Sequence, residues 1–293
     1  MAAPPIRDYL AAFYADQGGV EFELLEGAEY SLAECHGCGL IFQRWIGDDF
    51  LMEKLYEHWI DPQKVYRAYH AGQSQEHFTR LAQDLLELVG YFGHLDGARA
   101  PTNRLKFLDF GMGWGEWCRM ALAFGCETYG AELSRARIDH AQRLGVKIVS
   151  WEEIAEHRFR FINTEQVFEH IPQPLAMLRH LVGGLAPDGL IRLSVPDGRD
   201  IKRRLRSPDW TAGKYTANSL NAVAPLEHVN CYTHDSLCKM AALAGLVPVE
   251  IPLSVQYQSL VDWKPPAKML KNLIRPLWNK YLRKQTSILF GHA

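Results

Sequence analysis

The stretch "FLDFGMGWGEW" (residues 107–117) ends a short apolar run on Asp109-Phe110 and then places glycine at every second position, Gly111, Gly113 and Gly115. Glycine costs backbone entropy, so this alternation points to left-handed backbone or to the close approach of a ligand. Trp114 and Trp117 stand among the glycines and read as packing residues. Outward from this stretch the chain keeps one rhythm. "LKFLDF", "ETYGAEL", "VKIVS", "FRFINT", "GLIRLSV", "LVPVEI" and "TSILFGH" read as strands, and "EWCRMALAFG", "SRARIDHAQRLG", "PQPLAMLRHLVGG" and "THDSLCKMAALAG" as helices. Trp117, Met120, Ala121 and Phe124 fall at helical spacing, and Gly125 stops that helix. Ser134 and Thr233 stand where N-caps belong, and Gly145 ends the second helix. Strands alternating with helices predict an α/β fold: a doubly wound, mostly parallel seven-stranded sheet.

In such sheets ligands sit at the carboxyl ends of the strands, at the switch point of the strand order. The first strand ends at Asp109-Phe110, so the glycines fall there, ahead of a helix N-terminus with unpaired N–H groups. A dinucleotide enzyme wants G-x-G-x-x-G, but Glu116 fills the third glycine's place and would face a pyrophosphate. D-x-G-x-G-x-G suits a ligand that carries an ammonium and a carboxylate. At this point the sequence resembles the class I S-adenosylmethionine-dependent methyltransferases. The segments "FINTEQVFEHIPQPLAMLRHLVGGLAPDGLIRLSVPDG" and "PLEHVNCYTHDSLCKMAALAGL" resemble that family's later motifs, so the likeness runs from about residue 105 to 253. It implies a Rossmann-like fold and S-adenosyl-L-methionine as cofactor. Asp109, Gly111, Gly113 and Gly115 would form the cofactor loop, and Glu132 would pair with the ribose hydroxyls. Ser150 and Trp151 take the adenine-edge position, with Glu165 and Gln166 after the fourth strand.

Ahead of residue 105 the chain reads differently. Residues 1–62 form a small irregular appendage, in which "YSLAECHGCGLIFQRW" reads as two strand pieces about a turn at His36–Gly39. Cys35 and Cys38 resemble half of a zinc ribbon, yet tetrahedral zinc wants four ligands and no cysteine precedes Cys35. The expectation is a degenerate ribbon without metal. Residues 63–104 read as a helical cap, "QEHFTRLAQDLLELV", and a linker, "GHLDGARAPTNR". Residues 105–293 read as the cofactor-binding domain, with an acceptor-side insertion at 198–226 and a basic amphipathic helix at 262–284, kinked at Pro276. That helix suits an interface or an anionic membrane surface. A net charge of −2 over 293 residues offers no nucleic-acid footprint, and no apolar run reaches the roughly 18 residues of a membrane span. A soluble, cytoplasmic protein is expected.

Methyl transfer needs alignment and, for a hydroxyl acceptor, removal of a proton. His170, His228 and Glu169 are the catalytic candidates, with His170 as base, Glu169 orienting it and His228 positioning the acceptor. Gln166-x-x-Glu169-His170 resembles a metal-binding spacing of some O-methyltransferases, but Gln166 lacks the charge a hard cation prefers, so no metal is expected. Lys202, Arg203, Arg204 and Arg206 read either as a solvated run or as a cluster for an anionic acceptor. The leading function is O-methylation of a small-molecule or sugar or glycan hydroxyl. A nicotinamide-dependent oxidoreductase and a non-catalytic cofactor-binding protein are the alternatives.

Overall fold

The computed structural model describes residues 4–61, 64, 66, 67, 71, 74–97, 105–214, 216–259, 273, 274, 276–278 and 285–293. Its strands are β1 (Leu32–Glu34), β2 (Ile41–Gln43), β3 (Lys106–Phe110), β4 (Glu127–Ala131), β5 (Lys147–Ile148), β6 (Phe159–Glu165), β7 (Leu185–Ser194), β8 (Asn230–Cys231), β9 (Leu246–Pro248) and β10 (Ser287–His292). The helices used below are α1 (Pro4–Tyr14), α2 (Asp49–Lys54), α3 (Gln75–Asp96), α4 (Glu116–Ala123), α5 (Arg135–Arg143), α6 (Pro174–Gly183) and α7 (Ile201–Arg204). The chain forms two compact units that are not continuous in sequence. The first comprises Met1–Gly72, Phe168–Gln173 and Val195–Lys239; the second comprises Gln73–Val167, Pro174–Ser194 and Met240–Ala293.

The second unit holds a seven-stranded sheet in the order β5-β4-β3-β6-β7-β10-β9. The pairs β4–β5, β3–β4, β3–β6 and β6–β7 are parallel, while β10 runs antiparallel to both its neighbours. The order reverses between β3 and β6, which puts the switch point at the end of β3. Phe107, Leu108, Phe159, Phe161 and Ile162 are all buried, the continuous apolar pattern of parallel strands covered on both faces. Leu85, Leu88 and Phe92 of α3 pack with Phe107, Trp117 and Phe161, and each such side chain stabilises by roughly 1.5–3 kcal/mol when fully buried. Ser74 caps α3 by accepting the His77 N–H at 3.2 Å, and the helix runs on through residues 93–96, the first part of the expected linker.

In the first unit β1 and β2 form the expected hairpin about His36–Gly39, closed by the Cys35 N–H on the Leu40 carbonyl at 2.8 Å. Cys35 and Cys38 are free thiols. Strand β2 also pairs antiparallel with β8, more than 180 residues away in sequence. Ile41 packs with Ile201, Leu220, Val223 and Cys231, so the segment read as an acceptor-side insertion shares a core with the N-terminal hairpin. A second cluster gathers Ile6, Leu10, Tyr14, Leu25, Leu55 and Trp59. Most of the basic helix expected at 262–284 lies outside the described residues. Among the described residues no helix is long and apolar enough to cross a membrane.

Candidate functional site

The glycine loop begins at the switch point. Gly111, Gly113 and Gly115 have φ of 75°, 55° and 75°, the left-handed region that glycine adopts without strain. A Cβ on Gly111 would stand 2.5 Å from Val167 Cγ2, so packing as well as conformation requires glycine there. Gly113 differs: no atom lies within 4 Å of where its Cβ would stand, which leaves the middle of the loop open to a ligand. Its N–H donates to Glu132 Oε2 at 3.0 Å, and the Leu133 and Ser134 N–H groups donate to Oε1 at 2.9 and 3.1 Å. Arg137 Nη1 lies 3.5 Å from Oε2. A carboxylate has about four acceptor positions, so Glu132 ties the loop to the next strand and keeps capacity for a hydroxyl. The open loop centre and this carboxylate fit S-adenosylmethionine.

Asp109 is fully buried and does not face solvent as a simple ligand would. Asn163 Nδ2 donates to its Oδ1 at 2.7 Å, Arg192 Nε donates to Asn163 Oδ1 at 2.8 Å, and Arg192 Nη1 donates to Asp84 at 2.6 Å. Burial pushes the Asp109 carboxyl up to about 7, against the opposing Asn163 bond. Asp109 therefore anchors the end of β3 to β6, β7 and α3.

At the adenine-edge position the Ser150 N–H donates to Glu153 Oε2 at 2.9 Å, and Trp151 stacks on His180 with ring centroids 3.5 Å apart. Glu153, three residues on inside a 3-10 turn, was not singled out in the sequence. His77 Nε2 lies 2.5 Å from Glu116 Oε2 at the start of α4. Ser134 occupies the N-cap of α5 with no side-chain cap bond, and its own N–H donates to Glu132 Oε1. Glu165 ends β6, and Gln166 follows with φ 55° and its N–H on the Ser194 carbonyl at 2.8 Å.

The first unit brings Glu169, His170 and His228 together, with one ligand atom of each within 4.8 Å of the others. The imidazoles of His170 and His228 meet edge to face, with centroids 4.9 Å apart. His170 Nδ1 lies 2.8 Å from the Glu227 carbonyl. A carbonyl only accepts, so Nδ1 carries the proton and Nε2 keeps its lone pair, 3.9 Å from Glu169 Oε1. Burial pushes His170 down to about 4 and His228 down to about 3, the latter helped by His170, so both imidazoles are neutral at pH 7. His228 Nδ1 is buried with no hydrogen-bond partner. The loop is held from behind. Gln43 Nε2 donates to the Ala224 and His228 carbonyls at 3.1 Å each, and Tyr14 OH donates to Glu227 Oε1 at 2.5 Å. Gln43, Tyr14 and Glu227 carry no motif and were not singled out in the sequence. In the basic run, Lys202 pairs with Glu34 at 2.5 Å and Arg204 Nη1 donates to the Ser219 carbonyl at 2.8 Å, so two of its four cations serve the fold.

Comparison with known proteins agrees with this geometry. The family model described as a methyltransferase domain matches residues 74–251, more than half of the chain, and the chain belongs to that family. The ubiquinone biosynthesis O-methyltransferase of Ruegeria pomeroyi is 27% identical over 148 residues, covering 47% of this chain and 58% of the relative. The protein of the same name from Dinoroseobacter shibae is 25% identical over 248 residues, covering 76% and 93%. The chain spans little more than half the length of the first curated relatives it matches, 58% and 56%. Among solved structures, the plantazolicin methyltransferase BamL, crystallised with a triazolic desmethylPZN analogue and SAH, superposes with a TM-score of 0.51 at 16% identity, covering 82% of this chain and 92% of that one. That likeness is one of fold.

Proposed function

We propose that this methyltransferase-domain chain transfers the methyl group of S-adenosylmethionine to a hydroxyl oxygen of a small molecule. The observation that carries the hydroxyl reading is the tautomer of His170: with Nδ1–H committed to the Glu227 carbonyl, Nε2 is free to take a proton. S-adenosylmethionine supplies an electrophilic methyl group on a sulfonium. The chain's own residues hold the cofactor through Gly113 and Glu132, and remove the acceptor's proton at His170 Nε2. A proton arriving there stands 3.9 Å from Glu169 Oε1, so the protonated ring lies beside a carboxyl group. His228 lies against the His170 ring and positions the acceptor. In sequence, four residues separate Glu165 at the end of β6 from His170. The relatives' name, O-methyltransferase, supports the same reaction class. The paired charges of Lys202 and Arg204 lend no weight to an anionic acceptor.

A second reading is favoured by the same cluster. Two neutral imidazoles and a carboxylate within 4.8 Å are also a donor set for a divalent cation such as zinc, which would polarise the acceptor hydroxyl. The argument against metal rested on Gln166, which is not one of these three groups. One assay separates the readings: labelled methyl transfer to hydroxylated aromatics by wild type and His170→Ala, with and without chelator. A proton-accepting His170 gives a roughly 100- to 10,000-fold loss of turnover in the variant, unchanged S-adenosylhomocysteine affinity, and indifference to chelator. Loss on chelation restored by a divalent ion selects the metal. Near-normal turnover in His170→Ala rejects both.

A further inference from the structure

The turn of the N-terminal hairpin, within the first unit, carries two thiols that methyl transfer leaves unused. Cys35 and Cys38 flank His36 and Gly37, and both are partly exposed free thiols. The Gly39 N–H donates to the Cys35 carbonyl at 2.8 Å, and Gly39 takes the left-handed φ of 78° that leads the chain into β2. A bond from the fifth residue back to the first makes a single helical turn, in which side chains three apart are neighbours. The two sulfurs accordingly meet, with the Cys38 thiol donating to Cys35 Sγ. Closing such a pair to the roughly 2.0 Å of a disulfide is a matter of side-chain rotation.

The surroundings favour a thiolate at Cys35 over one at its neighbour. The Cys38 N–H, the Cys38 thiol and the Gly37 N–H all donate to Cys35 Sγ, and the Lys239 ammonium adds its charge, so Cys35 is held below the usual thiol value. Lys239 is tied to the turn by its own bond to the Gly37 carbonyl at 3.2 Å. The adjacent Glu34 carboxylate, which would oppose a thiolate, is paired with Lys202 at 2.5 Å. Burial holds Cys38 above the usual value, against the Leu40 N–H bond. The pair thus has an attacking thiolate and a second thiol to resolve it. Of the other cysteines, Cys118, Cys126 and Cys231 are buried, and burial pushes the last two up to about 12. Cys238 is partly exposed, with Sγ 3.7 Å from His234 Nε2.

We propose that Cys35 and Cys38 are a redox-active dithiol, oxidised to an intramolecular disulfide by exchange with a low-molecular-weight disulfide such as oxidised glutathione. Cys35 Sγ attacks one sulfur of that disulfide, whose S–S bond breaks and releases one thiolate. Cys38 then gives its proton to solvent, attacks Cys35 Sγ in the mixed disulfide and releases the second thiolate. Two protein thiols are oxidised to one disulfide, and the small disulfide is reduced to two thiols. The bridge spans only the turn, outside the paired residues Glu34 and Ile41, so the hairpin keeps its register. Tetrahedral zinc would want two further ligands. Among the described residues no third His, Cys, Asp or Glu ligand atom joins the two sulfurs at metal-binding reach, which favours redox chemistry over metal.

The test treats the full chain with oxidised glutathione and then maps it by mass spectrometry. The tryptic peptide of residues 8–44 contains these two cysteines and no other. It is expected to lose the mass of two hydrogens on oxidation and to regain it with dithiothreitol. In Cys38→Ser the same treatment should leave glutathione bound to Cys35, because the resolving thiol is gone. In Cys35→Ser, Cys38 should take up glutathione more slowly by roughly tenfold or more. Cys238→Ser should form the bridge as wild type does. A peptide that stays reduced, a bridge to Cys238 in its place, or equal uptake at Cys35 and Cys38 in the two single variants overturns the proposal. One zinc per chain in the purified protein, shielding both thiols until it is chelated, overturns it as well.

Discussion

The glycine loop and the imidazole cluster are built in opposite ways. The loop is local: Asp109, the three glycines and Glu132 fall within one strand–helix–strand passage, and β3 and β4 pair in parallel register. The cluster joins Phe168–His170 to a loop at 224–228, held in turn by Gln43, 185 residues from His228. The loop's key bonds form once a short stretch of chain has folded, whereas the cluster exists only when three distant segments have come together. The electrostatics are opposed as well. The loop's anchor, Asp109, is a carboxyl whose proton burial holds up to about pH 7, and the cluster is a pair of imidazoles that burial keeps neutral.

The largest effect that can break this contrast is pH. Asp109, raised from about 4 to about 7, stabilises the second unit fully below its unfolded pKa and ceases to do so as pH rises through 7. His170 and His228, lowered from 6.5 to about 4 and about 3, stabilise the first unit above pH 6.5, and that stability is lost as pH falls through 4 and 3. Shifts of this size are worth roughly 3–5 kcal/mol each. Amide exchange in β3 and in residues 228–232, corrected for intrinsic rates between pH 5 and 7, should show opposite signs. Glu227, raised by burial, works against the imidazoles, so the sharper measurement is the difference between wild type and His170→Gln. The variant should lose less stability on acidification. Slopes of one sign in both units would dissolve the contrast.

Next in size is Glu132→Ala, expected to weaken S-adenosylhomocysteine binding by about 1.5–3 kcal/mol in calorimetry. Because Glu132 also accepts three backbone N–H groups, melting temperature should fall with affinity. Gln43→Met should cost about 1–2 kcal/mol of stability by leaving two carbonyls without their donor, and should lower turnover while cofactor affinity holds. Equal loss of cofactor affinity would show that Gln43 acts through general unfolding. The smallest effect belongs to Ser134→Ala. An N-cap serine is ordinarily worth about 0.5–2 kcal/mol, but this one makes no cap bond, so a change below about 0.5 kcal/mol is expected in denaturant unfolding.

What the sequence shows of each region follows from the same difference. Gly111, Gly113, Gly115 and Glu132 declare themselves by spacing, because the loop's geometry is written into consecutive residues. The central strands of the sheet were legible for a related reason: β3, β6 and β7 are largely buried apolar runs, and helices of period 3.6 separate them. His170 and His228 stood out through motif context, but nothing in the sequence places them edge to face. Gln43, Tyr14 and Glu227 were invisible. Each acts through one long-range bond, and a lone glutamine on a three-residue strand has no period to betray it. Ser134 shows the converse error: the right residue type at the N-cap position, with a side chain that makes no cap bond.

The pairing of β2 with β8 has a practical consequence. A chain shortened to begin at residue 105, as the motif boundaries invite, would keep β8 but lose the strand that satisfies it, together with Ile41 from the cluster of Ile201, Leu220, Val223 and Cys231. What remained would carry an unpaired edge and bare aliphatic surface, a template for self-association. The N-terminal hairpin is thus less an attachment than a built-in chaperone for the β8 segment, and any minimal enzyme cut from this protein has to carry it along.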